Sequence, residues 1–334
     1  MSITVSMLIV TGGAGFIGSC LQAALAARGF RTIVIDRLRD GGKWKNLQSH
    51  PPDQIIDPDQ AMDFLNGLPN GTVQGIFHLG AISATTVRDG DLAWHNNVSF
   101  SQKLWRFCAQ GNIPFLYASS AATYGGAAVP EDFVDGMDKI EHLRPLNLYG
   151  WTKQSFDLWI ARELAEKRPV PPQWVGLKFF NVYGPNEYHK GAMQSVACQI
   201  AKTIRLGKRP RLFKSTGVGI PDGGQLRDFV WVGDIVQLLL WFFQHPTKSG
   251  LFNAGTGKAR SFLEMAQCLC REFGVPEDIE FIEVPAQLKN QYQNFTQADL
   301  RLLRQQGYSF EFTSLEQGIK EYVQGYLLTE EKNL

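Results

Sequence analysis

The sequence predicts an α/β protein: a doubly wound parallel sheet with a smaller, discontinuous C-terminal lobe. Three observations carry this expectation. Short continuous apolar runs recur in the first half of the chain, helix-length segments separate them, and the composition changes after about residue 181. The first run is MLIVT at 7–11, followed by GGAGFIGS and then by Leu21, Ala24, Leu25 and Ala27 at helical spacing until Gly29. That is a strand, a tight turn and a helix. Further strands are expected at 31–36 (RTIVID), 75–79 (GIFHL), 113–119 (IPFLYAS) and 174–179 (WVGLKF), with helices at 92–110 and 152–167. Strands that do not alternate apolar with polar residues are buried on both faces, as in a parallel sheet between helical layers. Beyond 181 Gly and Pro become frequent, as in GPNEYHKG and STGVGIPDGGQ, and a helix at 261–273 stands outside the strand-and-helix order. The segment 227–240 (RDFVWVGDIVQLLL) is expected to return to the main sheet. The larger domain is therefore expected at 1–180 with 226–260, and the smaller lobe at 181–225 with 261–334.

At 334 residues the chain can give each part a core of its own. Its 33 basic residues nearly balance 32 acidic ones, so no global field draws it to nucleic acid or to an anionic membrane. An anionic ligand must be held locally. The densest basic run, KTIRLGKRPRLFK at 202–214, reads first as a solvated helix face and turn, and second as a patch near a bound diphosphate. Five scattered cysteines, without CxxC pairs or histidines at zinc spacing, point to a reduced protein without a metal site. No charged leader precedes an apolar stretch, and the longest near-apolar run, 235–243, is too short to span a bilayer. The expected location is the cytoplasm.

Gly12, Gly15 and Gly18 stand three residues apart between the first strand and the first helix. The first permits the turn, the second lets backbone N–H groups approach a pyrophosphate, and the third allows the helix to pack closely. Asp36 ends the next strand 18 residues after Gly18, where a ribose hydroxyl would lie. This is a Rossmann-like dinucleotide fingerprint. Arg37, directly after the acidic residue, and Lys43, in the loop DGGK, would suit a 2'-phosphate that Asp36 alone would repel. NADP is accordingly preferred to NAD, although charge position alone equally allows both to be ordinary loop charges.

Tyr149 and Lys153 form YxxxK, which on a helix puts both side chains on one face about a turn apart. A nearby lysine favours the phenolate, so the tyrosine oxygen can take a hydroxyl proton while hydride leaves the same carbon. A strand ends shortly before in SSAATYG at 119–125 and offers Ser120 as a further hydroxyl.

With TGGAGFIG, SSAATYG, YGWTK and RDFVWVGD in place, the chain resembles the extended short-chain dehydrogenase/reductase superfamily from Met7 onward. The resemblance implies nucleotide-sugar chemistry, with Tyr149 as acid/base, Lys153 as its partner, Ser120 hydrogen-bonded to the reacting oxygen and Arg227 on the diphosphate. More narrowly, DGGKWKNL, PFLYASSAATYGG, PLNLYG, FNVYGPNEYHKGAM and QYQNFTQADL are together similar to the ADP-glyceromanno-heptose 6-epimerase family. That family inverts C6 of a heptose used in the lipopolysaccharide inner core and forms homo-oligomers, pentamers by the family's habit. By spacing alone Lys190 reads as a phosphate or surface contact; the resemblance makes it a second catalytic acid/base. The same resemblance places Phe16, Ile17, Leu79, Gly80, Ala81, Ile82, Ser83, Asn96, Val182 and Lys190 against the cofactor. It places Asn181, Ala192, Gln199, Phe213, Lys214, Ser215, Thr216, Arg227 and Tyr292 against substrate. His189 is expected to pack or position.

The implied chemistry explains two acid/bases. C6 of the heptose bears a hydroxyl and no neighbouring carbonyl, so its C–H is not acidic and must be oxidised first. The resulting 6-ketone turns about the C5–C6 bond and takes hydride back on its other face, which moves the oxygen. One fixed group reaches both oxygen positions poorly, because proton transfer needs heavy atoms about 2.6–3.2 Å apart. The chain departs from the family where Leu79 replaces an acidic residue, Ala192 a serine and Gln199 a histidine, and where the loop GVGIPDGG before Arg227 is longer. Two related activities fit less well. A 4,6-dehydratase needs acidic residues that Ala121, Ala122 and Thr123 do not supply, and a 4-epimerase manages without a counterpart of Lys190. A non-catalytic NADP-binding relative would not need Ser120, Tyr149 and Lys153 together.

Overall fold

The computed structural model describes residues 6–39, 41–215, 217, 219–285, 293–329 and 333–334. Along the first half run β1 (Met7–Thr11), α1 (Phe16–Ala26), β2 (Thr32–Ile35), β3 (Gln54–Ile56), α2 (Ala61–Asn66), β4 (Val73–His78), α3 (Gly90–Trp94), α4 (Phe100–Gly111), β5 (Phe115–Ser120), α5 (Leu148–Ala165) and β6 (Trp174–Phe179). There follow β7 (Asn181–Tyr183), α6 (Val196–Arg205), β8 (Arg211–Phe213), β9 (Leu226–Arg227), β10 (Phe229–Trp231), α7 (Val232–Gln244), β11 (Gly250–Ala254), β12 (Arg260–Ser261), α8 (Phe262–Phe273), β13 (Glu280–Ile282), α9 (Arg301–Gln305) and α10 (Leu315–Tyr322).

Seven strands form one sheet in the order β11-β6-β5-β4-β1-β2-β3, with every neighbouring pair parallel. Its strands read as unbroken apolar runs because helices cover both faces. Leu8 and Val10 of β1 join a cluster with Leu21 and Leu25 of α1 and Leu239 of α7, while Ile9 between them joins one with Leu104 and Trp105 of α4 and Ile160 of α5. The carboxyl ends of β1, β4 and β5 therefore open at one edge, with the glycine turn, residues 79–83 and Ser120 side by side.

One expectation is corrected. Segment 227–231 does not enter the main sheet: β9 pairs antiparallel with β12, and β10 pairs in parallel with β7 in a separate ladder. The edge position beside β6 is taken by β11, and the chain leaves β6 directly into β7, so Phe229–Trp231 pairs beyond the sheet's end. The edge strand β3 was not anticipated, because its three residues are largely exposed and carry no buried-strand pattern. The basic run at 202–214 is partly spent on neighbouring acids: Arg209 pairs with Asp278 at 2.7 Å, Arg211 with Glu280 at 3.2 Å and Lys214 with Glu283 at 2.8 Å. All five cysteines are free and buried. Among the described residues, no helix is long and apolar enough to cross a membrane.

Candidate active site

The turn after β1 is built for close backbone approach. Gly12 has φ +67°, and a Cβ there would lie 2.6 Å from Gly80; a Cβ on Gly18 would lie 2.2 Å from the Gly12 carbonyl. Helix α1 begins at Phe16 with no side chain capping its N-terminus and no acidic residue in its first turn. Its first N–H groups and the positive end of its dipole are thus available to an anion. Asp36 closes the turn from β2, accepting from Ala14 N at 3.0 Å and Arg37 N at 2.7 Å. These features fit a dinucleotide, with its pyrophosphate on α1 and a ribose towards Asp36.

Beyond Asp36, a cleft of about 500 Å³ brings Arg37, Lys43, Ile82, Ser83 and Asn96 together. Lys43 Nζ donates to Asp36 Oδ1 at 2.5 Å and to the Arg37 carbonyl at 3.1 Å. Arg37 is held by Asp59 at 2.5 Å and by Asp57 at 3.5 Å, with Asn96 Oδ1 3.5 Å away. The sequence reading did not find Asn97, which is buried in a π turn (His95–Ser99) joining α3 to α4. Its side chain accepts from Ile82 N at 2.8 Å and donates to Ile82 O and to Thr152 Oγ1, both at 3.0 Å. The 79–83 loop is thereby tied to α5.

A second cleft, about 520 Å³, runs from Gly12, Gly15, Phe16, Ile17 and Gly18 past Leu79, Gly80 and Ala81 to Ser120, Tyr149 and Lys153, with Asn181, Val182 and Lys190 on its far wall. Ser120 is the last residue of β5, and its Oγ accepts from Ala122 N at 3.1 Å. Helix α5 starts just before Tyr149, capped by Asn147 Oδ1 on Gly150 N at 2.8 Å. Burial pushes the Tyr149 phenol up from its ordinary value, and a hydrogen bond with Ser120 opposes the rise. The expected lowering by Lys153 is not what sets this phenol. Lys153 Nζ donates instead to the Ala118 carbonyl at 2.8 Å, and burial brings its pKa down to about 8 against the pull of Asp157.

Lys190 lies on a two-turn segment (Tyr188–Met193) broken at Gly191, whose φ is +55°. Its Nζ stands 5.4 Å from the centre of the Phe16 ring, and burial lowers its affinity for a proton while Glu187 raises it. Glu187 is fully buried and anchors the segment from below, accepting from Ser195 N at 2.5 Å and Ser195 Oγ at 2.6 Å. A second anchor is Asn46, whose Nδ2 donates to Ala14 O at 3.0 Å and Asn186 O at 2.9 Å and stands 3.3 Å from His189 Nδ1. Asn333 reaches Asn46 Oδ1 at 2.6 Å. His189 is kept neutral, its pKa brought down to about 4 by burial and by Lys43 and Lys190.

Comparison with known proteins decides the family. The model of the NAD dependent epimerase/dehydratase family matches residues 8–255. The ADP-L-glycero-D-manno-heptose-6-epimerase of Fusobacterium nucleatum is 41% identical, with 98% of this chain and 100% of that protein covered, and that of Alkalilimnicola ehrlichii is 45% identical, covering 95% and 96%. The chain belongs to the NAD dependent epimerase/dehydratase family, in its heptose-6-epimerase branch. It is a nucleotide-sugar epimerase that works with a nicotinamide cofactor. Among solved structures, the Helicobacter pylori ADP-L-glycero-D-manno-heptose-6-epimerase superposes with a TM-score of 0.80 at 28% identity, covering 97% of each chain. MoeE5, solved with UDP-glucose and NAD, gives 0.71 at 26%, covering 95% of this chain and 97% of that one.

For this family member, the substrate-side residues are less gathered than the cofactor side. Ala192 and Gln199 are exposed and outside both clefts, where Gln199 Nε2 donates to Gln194 O at 2.8 Å and to Ala192 O at 3.4 Å. Arg227 is buried under the Phe262 ring and donates to the carbonyls of Leu226 and Gln293, outside both clefts. Phe213, Lys214 and Ser215 lie at the end of β8, also outside both clefts. Thr216 and Tyr292 lie outside the described residues.

Proposed function

We propose that this epimerase converts ADP-D-glycero-β-D-manno-heptose to ADP-L-glycero-β-D-manno-heptose on bound NADP, with Tyr149 and Lys190 as its two acid/bases. One observation carries the reading: a second lysine, half-buried, lines the same cleft as Ser120, Tyr149 and Lys153. The sugar named for the curated relatives agrees with it. When bound, the nicotinamide supplies the hydride acceptor for C6 and later the hydride donor. Ser120 donates a hydrogen bond to the reacting oxygen. Tyr149 exchanges a proton with that oxygen in one orientation of the side chain. Lys190, whose partly buried ammonium gives up its proton more readily than a lysine in water, exchanges it in the other. Lys153 places a positive charge behind Tyr149.

The preference for NADP rests on Lys43, which neutralises Asp36, and on Arg37 beside it; both line the cleft where a 2'-phosphate would lie. Residues 181–225 and 261–334 are assigned to the substrate lobe. The five unpaired, buried thiols suit a reducing cytoplasm, and the family resemblance suggests a homo-oligomer.

The test is an NMR or chromatographic assay of the purified protein on ADP-D-glycero-β-D-manno-heptose without added cofactor. Formation of the L-glycero epimer is expected; no conversion even with NADP or NAD added would overturn the substrate. Lys190→Met is expected to lower kcat about 10²–10⁴-fold with cofactor still bound. Unchanged turnover would assign Lys190 to binding and favour a single-tyrosine 4-epimerase.

A further inference from the structure

Tyr149, Lys153 and Asp157 stand four residues apart on one face of α5, and Asp157 is fully buried directly beneath the catalytic pair. Its carboxylate is completely used. Oδ1 accepts from Tyr117 OH at 2.9 Å, and Oδ2 accepts from Ser119 Oγ at 2.7 Å and from Lys178 Nζ at 3.1 Å. Lys178, on β6 and also shielded from solvent, donates in addition to Thr123 Oγ1 at 2.7 Å and sits 5.2 Å from the centre of the Tyr124 ring. Thr123 Oγ1 in turn donates to the Ser120 carbonyl at 2.8 Å. One ion pair thus joins the helix that carries Tyr149 and Lys153 to both sides of Ser120. A buried pair is weak evidence of stability, since an apolar pair of similar volume often does as well. Its placement calls for another role.

We propose that Asp157 and Lys178 are positioning residues for the reaction: the pair fixes Ser120 against α5 and keeps the charge behind Lys153 balanced. The proposal rests on reading Ser120, Tyr149 and Lys153 as the catalytic groups. The charged and titratable groups facing Lys153 are Asp157 on its own helix and His78 from β4, which is held neutral between Thr11 and Ser101 with its pKa brought down to about 3. Behind Asp157 stand Lys178 from β6 and Tyr117 from β5, with Tyr124 and Asp135 beyond Lys178. Without Lys178, the uncompensated negative charge of Asp157 would oppose a phenolate at Tyr149.

The experiment compares Lys178→Met, Lys178→Arg and the double variant Asp157→Leu/Lys178→Met with wild type. Each is measured for kcat, KM, retained cofactor and the pH dependence of kcat. Tyr149 ionisation is read from phenolate absorption as the difference between each protein and its Tyr149→Phe counterpart. Lys178→Met is expected to lower kcat about 10–100-fold with KM and cofactor little changed, and to move the Tyr149 midpoint to higher pH by about one unit, as for removal of a close compensating charge. Lys178→Arg should restore both. The double variant should bring the midpoint back while kcat stays low. If Lys178→Met does not fold, the double variant decides. Folded variants with wild-type kcat and an unmoved Tyr149 midpoint would overturn the proposal. A wild type that leaves the ADP-heptose unchanged, but whose Tyr149 midpoint moves with Lys178, would sink the substrate and leave the pair standing.

Discussion

Asp135 shows at the level of one side chain how burial sets chemistry. It is 2% exposed; Oδ2 accepts from Asn253 N at 2.5 Å, while Oδ1 has no hydrogen-bond partner among the described residues. Burial pushes its pKa up to about 7. A carboxyl with a raised pKa holds its proton in the folded state after the unfolded chain has released it, so its contribution to stability is lost as pH rises from about 4 towards 7. Asp135→Asn keeps an acceptor for Asn253 N and cannot ionise. Urea unfolding at pH 5 and pH 8 should therefore favour the variant by an increment of the order of 3 kcal/mol at the higher pH; an increment near zero would place the ionisation elsewhere. Nothing in the sequence marks this aspartate, because the backbone that holds it, at Asn253, lies 118 residues further along the chain. The glycines are the opposite case: Gly12 is legible because its turn needs a positive φ, and Gly18 because a Cβ there would meet the Gly12 carbonyl of the same turn.

Elements were legible where burial was continuous and obscure where the backbone changed its period. The strand runs at 7–11 and 174–179 end where β1 and β6 end, and helix α5 begins four residues before its expected start. The π turn at His95–Ser99 is different. An extra residue in one turn shifts every later side chain around the axis, so Asn97 rather than Asn96 faces the 79–83 loop while Asn96 lines the outer cleft. No hydrophobic pattern announces such a turn. Asn97→Ala should free both backbone groups of Ile82, at about 1–3 kcal/mol for groups left buried without partners. The expected result is about tenfold weaker retention of the nicotinamide cofactor, followed by fluorescence of its reduced form, with the overall fold unchanged by circular dichroism. Retention equal to wild type would show that the loop holds its shape without this residue.

Across the whole molecule, one buried carboxylate links distant segments. Asp228, between β9 and β10, accepts from Thr256 N and Thr256 Oγ1 at 2.7 Å, from Gly257 N at 2.9 Å and from Ala298 N at 3.0 Å. It joins the turn after the edge strand β11 to the chain that leads into α9. Asp228→Ala strands three backbone N–H groups, each costing about 1–3 kcal/mol, so thermal unfolding should begin many degrees lower; a midpoint within a degree of wild type would mean that water replaces the carboxylate. The sequence points 227–240 to the main sheet because apolar content cannot say which of two nearby ladders a short strand joins; in the structure β10 pairs with β7, and β11 takes the edge beside β6. The buried thiols have a consequence for watching the molecule at work. Because Cys108 sits in α4 beside the main sheet and Cys268 and Cys270 in α8, which packs against α6 and α10, a thiol reagent can reach each only when its own region opens. Mass-resolved labelling therefore turns the chain's own sulfurs into separate clocks for the two regions. Equal rates are expected if they open as one cooperative unit, and faster labelling in α8 if the second region breathes alone.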